Sequence, residues 1–419
     1  DENKFAVVCF ANFCVLNLLS KNMYSKMPLQ LLIKSSHIIF PSTPRHNTLF
    51  LIHRTMSQGN IIGKYVSITE AKRFVKECFV AAKVKDDNAQ AMADLLIEAD
   101  YRGHFSHGMN RLEMYINDLD KKTTDGNVEP VILKETPATA WIDGRHGLGV
   151  VVGNFAMDVA IKKAKEVGVG WTCAKGSNHY GIAGWYSLRA MKEGLIGLSM
   201  TNTSPFMSPT RSKEAALGTN PLAMGAPGTN GDSFLLDMAT TAVAVGKIEM
   251  QIRKNEPIPR GWAQDPSGQP TTDATVGYNT ACLMPLGGEE LTSGYKGYGL
   301  GALVEIMCGI MSGANYASNI RKWSHAGSDE LANLGQCFIA VDPNCFAPGF
   351  GERLTDLTTL LRAMPATDPE KPVLVAGDPE KAHMTKVDAD GGINYHENQL
   401  KSCQTLSQRL NVPPLQYTK

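Results

Sequence analysis

The feature that most constrains the fold is a change of texture near residue 130. From Ser67 to about Leu119 the apolar residues recur at helical spacing. Beyond 130 they come in short runs of four to six, entered or left through glycine. Ser67-Ile68-Thr69-Glu70 has the Ser-x-x-Glu form of a capping box, and Ala71, Phe74, Val75, Cys78, Phe79 and Ala82 follow as one helix face. Asp86 and Asp87 are placed to cap a second helix carrying Met92, Leu95, Leu96 and Ile97. After the break Arg102-Gly103-His104-Phe105-Ser106-His107-Gly108, a third helix runs through Tyr115 and Leu119.

The middle reads as sheet with helices. Val131–Leu133, Thr139–Ile142, Gly168–Cys173, Leu195–Met200, Ala223–Ala226 and Phe234–Met238 have strand character, and Gly153–Val167 is an amphipathic helix. A helix from Tyr298 to Ser312 closes this part. The tail then alternates strand (Cys337–Val341), helix (Leu354–Met364), strand (Val373–Ala376) and a terminal helix (Gln399–Leu410). These segments predict an α/β protein divided into 57–134 (helical, substrate-facing), 135–320 (cofactor-binding) and 321–419, the last packing on the helical part.

Residues 1–56 stand apart. Positions 3 to 69 hold no Asp or Glu, while Lys4, Lys21, Lys26, Lys34, Arg45, Arg54 and Lys64 are basic. This is the composition of a transit segment or of an upstream gene-model extension. Phe5–Leu19 is a short apolar run, but its flank Asp1-Glu2-Asn3-Lys4 lacks the positive charge of a secretion signal. A cytoplasmic location is expected, or a mitochondrial one if the segment is a real transit peptide.

Composition removes several functions. Lys plus Arg and Asp plus Glu are 41 each, a formal charge of zero, so nothing draws the chain to nucleic acid. No apolar run reaches the ~18 residues of a spanning helix, so no membrane is expected. The nine cysteines are irregularly spaced without a C-x-x-C, which disfavours a disulfide scaffold or a zinc ribbon. His104 and His107, three apart, have no evident third metal ligand, and no metal is expected. Gly147, Gly149 and Gly153 make G-x-G-x-x-x-G, one residue too long for the dinucleotide fingerprint, with Asp158 too close to serve as its ribose acid. They read as a strand-to-helix turn.

Two clusters carry chemistry. If one helix spans them, His107, Arg111 and Tyr115 lie at i, i+4 and i+8, so one face presents imidazole, guanidinium and phenol beside Ser106. Arginine forks onto a carboxylate, and histidine exchanges a proton near neutral pH. Gly176-Ser177-Asn178-His179-Tyr180-Gly181 follows a strand and enters a helix, where α/β proteins place ligands. Gly218-Thr219-Asn220, Leu236-Asp237-Met238-Ala239, Gly287-Gly288 and Gly294-Tyr295-Lys296-Gly297 add small residues and backbone N–H groups suited to phosphate.

Together RGHFSHGMNRLEMY, GSNHYGIAGWYS, GTNPLAMGAP, LLDMATT, PLGG and GYKGYGLGALVE, in this order, resemble the malate/L-lactate dehydrogenase family of the second type, over about residues 57–415. Its relatives include sulfolactate and ureidoglycolate dehydrogenases and imine-carboxylate reductases. The resemblance implies a non-Rossmann nucleotide domain with a large mixed, mainly antiparallel sheet, NAD or NADP as cofactor, and a homodimer acting on a small 2-hydroxy or 2-oxo acid. It implies that Ser106, His107 and Arg111 meet the substrate and that Asp237, Met238, Ala239, Gly287 and Gly288 line the cofactor; beside these, the clusters themselves put Tyr115 and His179 with the catalytic residues and Asn178, Thr219, Asn220 and Lys296 with the cofactor. The residue before the Ser-His pair is often Asp in that family and is Phe105 here. Competing expectations are a cyclic imine-carboxylate reductase and a cofactor-binding protein without turnover.

Overall fold

The structure is a computed structural model and describes residues 64–323 and 329–418. The expectations for residues 1–56 lie outside the described residues.

Strand β1 (Lys64–Val66) leads into α1 (Ile68–Ala81), α2 (Asp86–Tyr101) and α3 (Leu112–Asp120). Half of the capping box forms: Ser67 Oγ accepts from the Glu70 N–H at 3.2 Å. The Glu70 carboxylate does not reach back; it takes Arg73 and the Gln416 N–H instead. The cap of α2 is Lys85, with no side-chain hydrogen bond. Asp86 and Asp87 sit inside its first turn, where their charge complements the helix dipole.

Next come β2 (Val131–Glu135), β3 (Thr139–Asp143), α4 (Gly149–Val167), β4 (Val169–Ser177), α5 (Gly184–Lys192), β5 (Ile196–Thr201), β6 (Leu222–Pro227) and β7 (Ser233–Met238). A subsidiary region holds α6 (Val245–Lys254), β8 (Ala263–Gln264), β9 (Pro270–Thr271) and α7 (Ala274–Thr280). Then α8 (Gly294–Glu305) passes into a π-helical turn, Ile306–Ile310. The chain ends with β10 (Leu334–Val341), α9 (Phe350–Arg362), α10 (Asp378–Asp390), β11 (Ile393–Tyr395) and α11 (Glu397–Leu410).

The main sheet has the order β2-β3-β4-β10-β5-β6-β7. Only β3 against β4 is parallel; the other pairings are antiparallel. The division expected at residue 320 is therefore not where the sheet ends. β10 sits at its centre, Cys337 opposite both Cys173 and Met200, and seven of its eight residues are buried. An apolar run covered on both faces makes a central strand, and no local signal tells which neighbours it joins.

One face of the sheet is covered by α4 and α5, with Ala156, Ala160 and Ala164 packed near Tyr180, Tyr186 and Phe338. A Cβ on Gly170 would overlap the Ala160 carbonyl, and one on Gly149 would overlap the His179 carbonyl. The glycines of the G-x-G-x-x-x-G stretch thus permit close packing: Gly153 rests against the Tyr186 ring. The other face meets Val304 and Cys308 of α8 and its π-helical extension. A separate core joins α1–α3 to Val387, Ile393, Tyr395, Leu400, Cys403 and Leu406 of the C-terminal elements, and β1 pairs with β11. The segment Val373–Ala376 forms no strand; its Ala376 carbonyl accepts from the Leu235 N–H of β7. Helix α10 and β11 were not anticipated, because α10 is mostly exposed and shows little apolar periodicity.

Candidate active site

A cleft of about 920 Å³ opens between the helical part and the sheet. Its walls include Ser106, His107 and Arg111 from the segment before α3, Asn178 and His179 from the turn after β4, and Thr219, Asp237, Met238 and Ala239 from the far end of the sheet.

His107, Arg111 and Tyr115 do not lie on one helix. Residues Phe105–His107 and Met109–Arg111 form two separate 3-10 turns, and α3 begins only at Leu112. The break is at Gly108, whose φ of −95° and ψ of −140° interrupt the helical path. A Cβ there would overlap the Asp100 carboxylate. His107 and Arg111 reach the same cleft, but not by the helical spacing expected of them.

His107 and His179 stack with ring centroids 5.6 Å apart and planes at 23°. Trp323 continues the stack, 4.5 Å from His179. His107 Nδ1 lies 2.8 Å from Ser106 Oγ. His179 Nδ1 lies 2.6 Å from the Tyr115 hydroxyl and accepts from the Gly181 N–H at 3.3 Å. A nitrogen that receives a backbone N–H carries no proton, so the His179 proton resides on Nε2. Loss of hydration lowers the His107 pKa to about 3, with Arg111 and His104 adding repulsion. Burial, then His107, Arg111 and Arg321, holds His179 well below its ordinary value. Both imidazoles are neutral at pH 7.

Arg111 donates from Nε to the Ser106 carbonyl at 2.6 Å. Burial lowers its pKa, although the group stays a cation. It has no carboxylate in ion-pair contact among the described residues. A recessed guanidinium without a counter-ion is a receptor for an anion. Helix α6 points its uncapped N-terminus into the same cleft through Val245, Gly246 and Lys247, adding partial positive charge.

Behind His179, a buried network fixes the wall. Arg321 pairs with Asp118 at 2.6 Å, Trp323 Nε1 donates to Asp118 at 2.9 Å, and Asn178 bonds Thr124 and Asp118. The sequence reading missed Asp118, Arg321 and Trp323. Asp118 lies 60 residues before Asn178, and Arg321 lies 143 residues after it with Trp323 close behind, with no motif to join them.

Tyr115 is buried with its hydroxyl on His179, outside the cleft lining. Asn220 is fully buried and donates to the Gly301 carbonyl and to Glu305. Gly287, Gly288 and Lys296 also lie outside the lining; Gly288 packs on Gly261, and Lys296 is exposed beside Tyr295. Asp237, whose pKa is raised by burial, accepts from the Gly184 N–H at 2.7 Å at the start of α5. Phe105 packs edge-on against His383 and Tyr395, 5.6 and 6.2 Å away. Among the described residues no group of His, Cys, Asp and Glu is placed to hold a metal.

Two neutral imidazoles and an unpaired guanidinium, in a cleft within the ~300–1,000 Å³ range of ligand sites, are the set of groups that can hold a small anion and exchange a proton with it. The comparisons specify the class. The family model for malate/L-lactate dehydrogenase matches residues 66–404. The malate dehydrogenase of Pyrococcus horikoshii is 36% identical over 364 residues, 85% of this chain and 99% of that one. Its solved structure superimposes with a TM-score of 0.76, covering 84% of this chain and 97% of that one at 35% identity. The L-sulfolactate dehydrogenase of Methanocaldococcus jannaschii is 39% identical over 317 residues, 75% of this chain and 89% of that one. The Δ1-pyrroline-2-carboxylate reductase of Ancylobacter novellus is 32% identical over 305 residues, 72% and 87%. The chain belongs to the malate/L-lactate dehydrogenase family and is an oxidoreductase of that kind.

Proposed function

We propose that this protein interconverts a small 2-hydroxy acid and its 2-oxo acid with NAD or NADP. The observation that carries the reading is the meeting of His107, His179 and Arg111 in one cleft, two imidazoles stacked beside an unpaired guanidinium. The residues lining the remaining cleft fit a nicotinamide cofactor: Thr203, Thr219 and Thr241 offer hydroxyls, and Met238 and Ala239 end a strand with small or flexible side chains. The bound nicotinamide supplies the acceptor of hydride in oxidation and its donor in reduction.

Arg111 holds the substrate carboxylate. His179, with Nδ1 committed to Tyr115 and Gly181, offers Nε2–H to the oxygen on C2 and polarises it. His107 is different: the Ser106 hydroxyl can accept as well as donate, so Nδ1–H can point at Ser106 and leave Nε2 bare. His107 Nε2 then takes the hydroxyl proton during oxidation and returns it during reduction. A carboxylate beside Arg111 cancels the charge that repels this proton, so the His107 pKa rises when substrate enters.

The helical part, the sheet part and the C-terminal elements act here as substrate wall, cofactor wall and buttress. The sheet lacks the G-x-G-x-x-G turn, which supports a non-Rossmann nucleotide site. For a 2′-phosphate, Arg211 is already forked onto Glu290, while Lys247 lines the cleft. A homodimer is supported by exposed apolar residues along the helix from α8, Ile306, Ile310 and Met311, each about half accessible. Six buried, unpaired cysteines, Cys78, Cys173, Cys282, Cys308, Cys337 and Cys403, support a reducing compartment such as the cytoplasm. No helix among the described residues is long and apolar enough to cross a membrane.

The test follows reduced-nicotinamide absorbance with NADH and NADPH against oxaloacetate, pyruvate, sulfopyruvate and a cyclic imine carboxylate. Turnover of an oxo acid is expected. Turnover of the imine alone replaces the reading with an imine reductase, and cofactor binding without oxidation of any substrate sinks it.

A further inference from the structure

The segment carrying His107 and Arg111 is held from behind by a carboxyl group outside the lining of the active-site cleft. Asp100 lies in the last turn of α2 and is 1% exposed. Its Oδ2 accepts from the Met109 N–H at 2.9 Å and from the Tyr395 hydroxyl at 2.6 Å. Its Oδ1 has no hydrogen-bond partner among the described residues and presses on Gly108, where any Cβ would overlap it.

Ser106 and His107 end one 3-10 turn, and Arg111 ends the next. Since no continuous helix joins them, helical geometry does not set their separation. The two turns join at Gly108 and Met109, and the Asp100 carboxylate meets this segment at both. A buried carboxyl without a cation is an expensive filler, and burial raises its pKa to about 7. Phe105, on the other side of the same segment, is packed by Tyr395 and His383. The C-terminal elements therefore reach the substrate wall twice, once through the Tyr395 hydroxyl and once through its ring.

We propose that Asp100, buttressed by Tyr395, is a positioning residue that sets the geometry between the His107 imidazole and the Arg111 guanidinium. Asp100 meets no substrate; it acts through the bend at Gly108. The inference rests on the reading of this cleft as the reactive site, and its test has an arm that needs no turnover.

The experiment compares Asp100→Ala, Asp100→Asn and Tyr395→Phe in the full chain. Asparagine keeps one oxygen for the Met109 and Tyr395 donors; alanine keeps neither oxygen. Asp100→Ala is expected to lose about 10²-fold in kcat/KM for the oxo acid, the scale of a reacting group misplaced by about 1 Å. Its NADH affinity, read by fluorescence, is expected to stay within about threefold. Asp100→Asn should recover most of the loss, and Tyr395→Phe should lose about 2- to 10-fold, the range of one neutral hydrogen bond. In the turnover-free arm, ¹⁵N-histidine spectra, with His107→Asn for assignment, should show the His107 signal displaced in Asp100→Ala and restored in Asp100→Asn. If Asp100→Ala fails to fold, Tyr395→Phe carries the same expectation: a displaced His107 signal with unchanged NADH affinity. An unmoved His107 signal in a folded variant overturns the proposal even if the protein oxidises no hydroxy acid. Equal losses of cofactor affinity and kcat/KM overturn it as well.

Discussion

The two walls of the cleft each contribute one imidazole, and they prepare it differently. On the sheet side, His179 is pinned by two donors on Nδ1 and stacked against Trp323. On the helical side, His107 Nδ1 meets the Ser106 hydroxyl, which works in either direction. Burial drives both pKa values down, so ionisation does not distinguish them. Their hydrogen bonds do: on the proposed mechanism the pinned ring donates towards the substrate from Nε2, and the other exchanges its proton.

The comparison breaks most visibly by deletion. His107→Ala is expected to lose about 10²–10⁴-fold in kcat, and His179→Ala about 10²-fold, the scale of one lost donor to a developing oxyanion. Steady-state rates with saturating cofactor measure both, and the reverse order would exchange the two roles. Arg111→Ala should act on binding: removing a charge-assisted contact of about 1.5–3 kcal/mol raises substrate KM roughly 10- to 100-fold, with NADH affinity unchanged. A substrate saturation curve identical to the parent's removes Arg111 from the clamp. Tyr115→Phe is the finer probe, with about a 2- to 10-fold loss in kcat expected from one missing hydrogen bond. The Gly181 N–H still marks the His179 tautomer in that variant, and a variant rate equal to the parent's would show that Tyr115 does no more than fill space.

A separate effect falls on stability. An unfolded histidine titrates near ~6.5, whereas folded His107 binds its proton only near about 3. Between those values the unfolded state holds more protons, so stability is full above ~6.5 and falls as pH drops through the window. Each such histidine contributes at most ~1.4 kcal/mol per pH unit there. Urea midpoints from pH 7 to pH 4 should therefore fall less steeply in the His107→Gln, His179→Gln double variant than in the parent. The same lowered pKa places the acid limb of kcat/KM for hydroxy-acid oxidation well below pH 6. An acid limb centred near pH 6.5 would contradict a neutral, buried His107.

Much of this was present in local sequence. The apolar spacing of 71–82 and 89–99 dictates two helices, because each has one dry face to bury. Short apolar runs with glycine ends dictate the strands from Val131 to Met238. RGHFSHGMNR and GSNHYG carry both imidazoles and the guanidinium that now line the cleft, and their polar composition sets them apart from core. Local pattern failed where the cause was distant. Nothing near residues 334–341 says that β10 enters the sheet between β4 and β5, since any buried strand has the same composition. The helix drawn through His107, Arg111 and Tyr115 is absent because Gly108 yields to a carboxylate on α2. Asn220, Gly287, Gly288 and Lys296 had the residue types of a phosphate cradle, but the fold spends Asn220 on a buried network around Glu305 and leaves the others outside the cleft.

Sequence alone determined the helices over 71–82 and 89–99 and the strands from Val131 to Met238, because those depend on composition and on contacts a few residues long. Tertiary structure decided which imidazole is pinned, what bends the segment at Gly108, and that Asp118, Arg321 and Trp323 close the wall behind His179. Each of those outcomes is a hydrogen bond or a ring contact between groups far apart along the chain, and such a contact exists only once the backbone has been brought together by its cores.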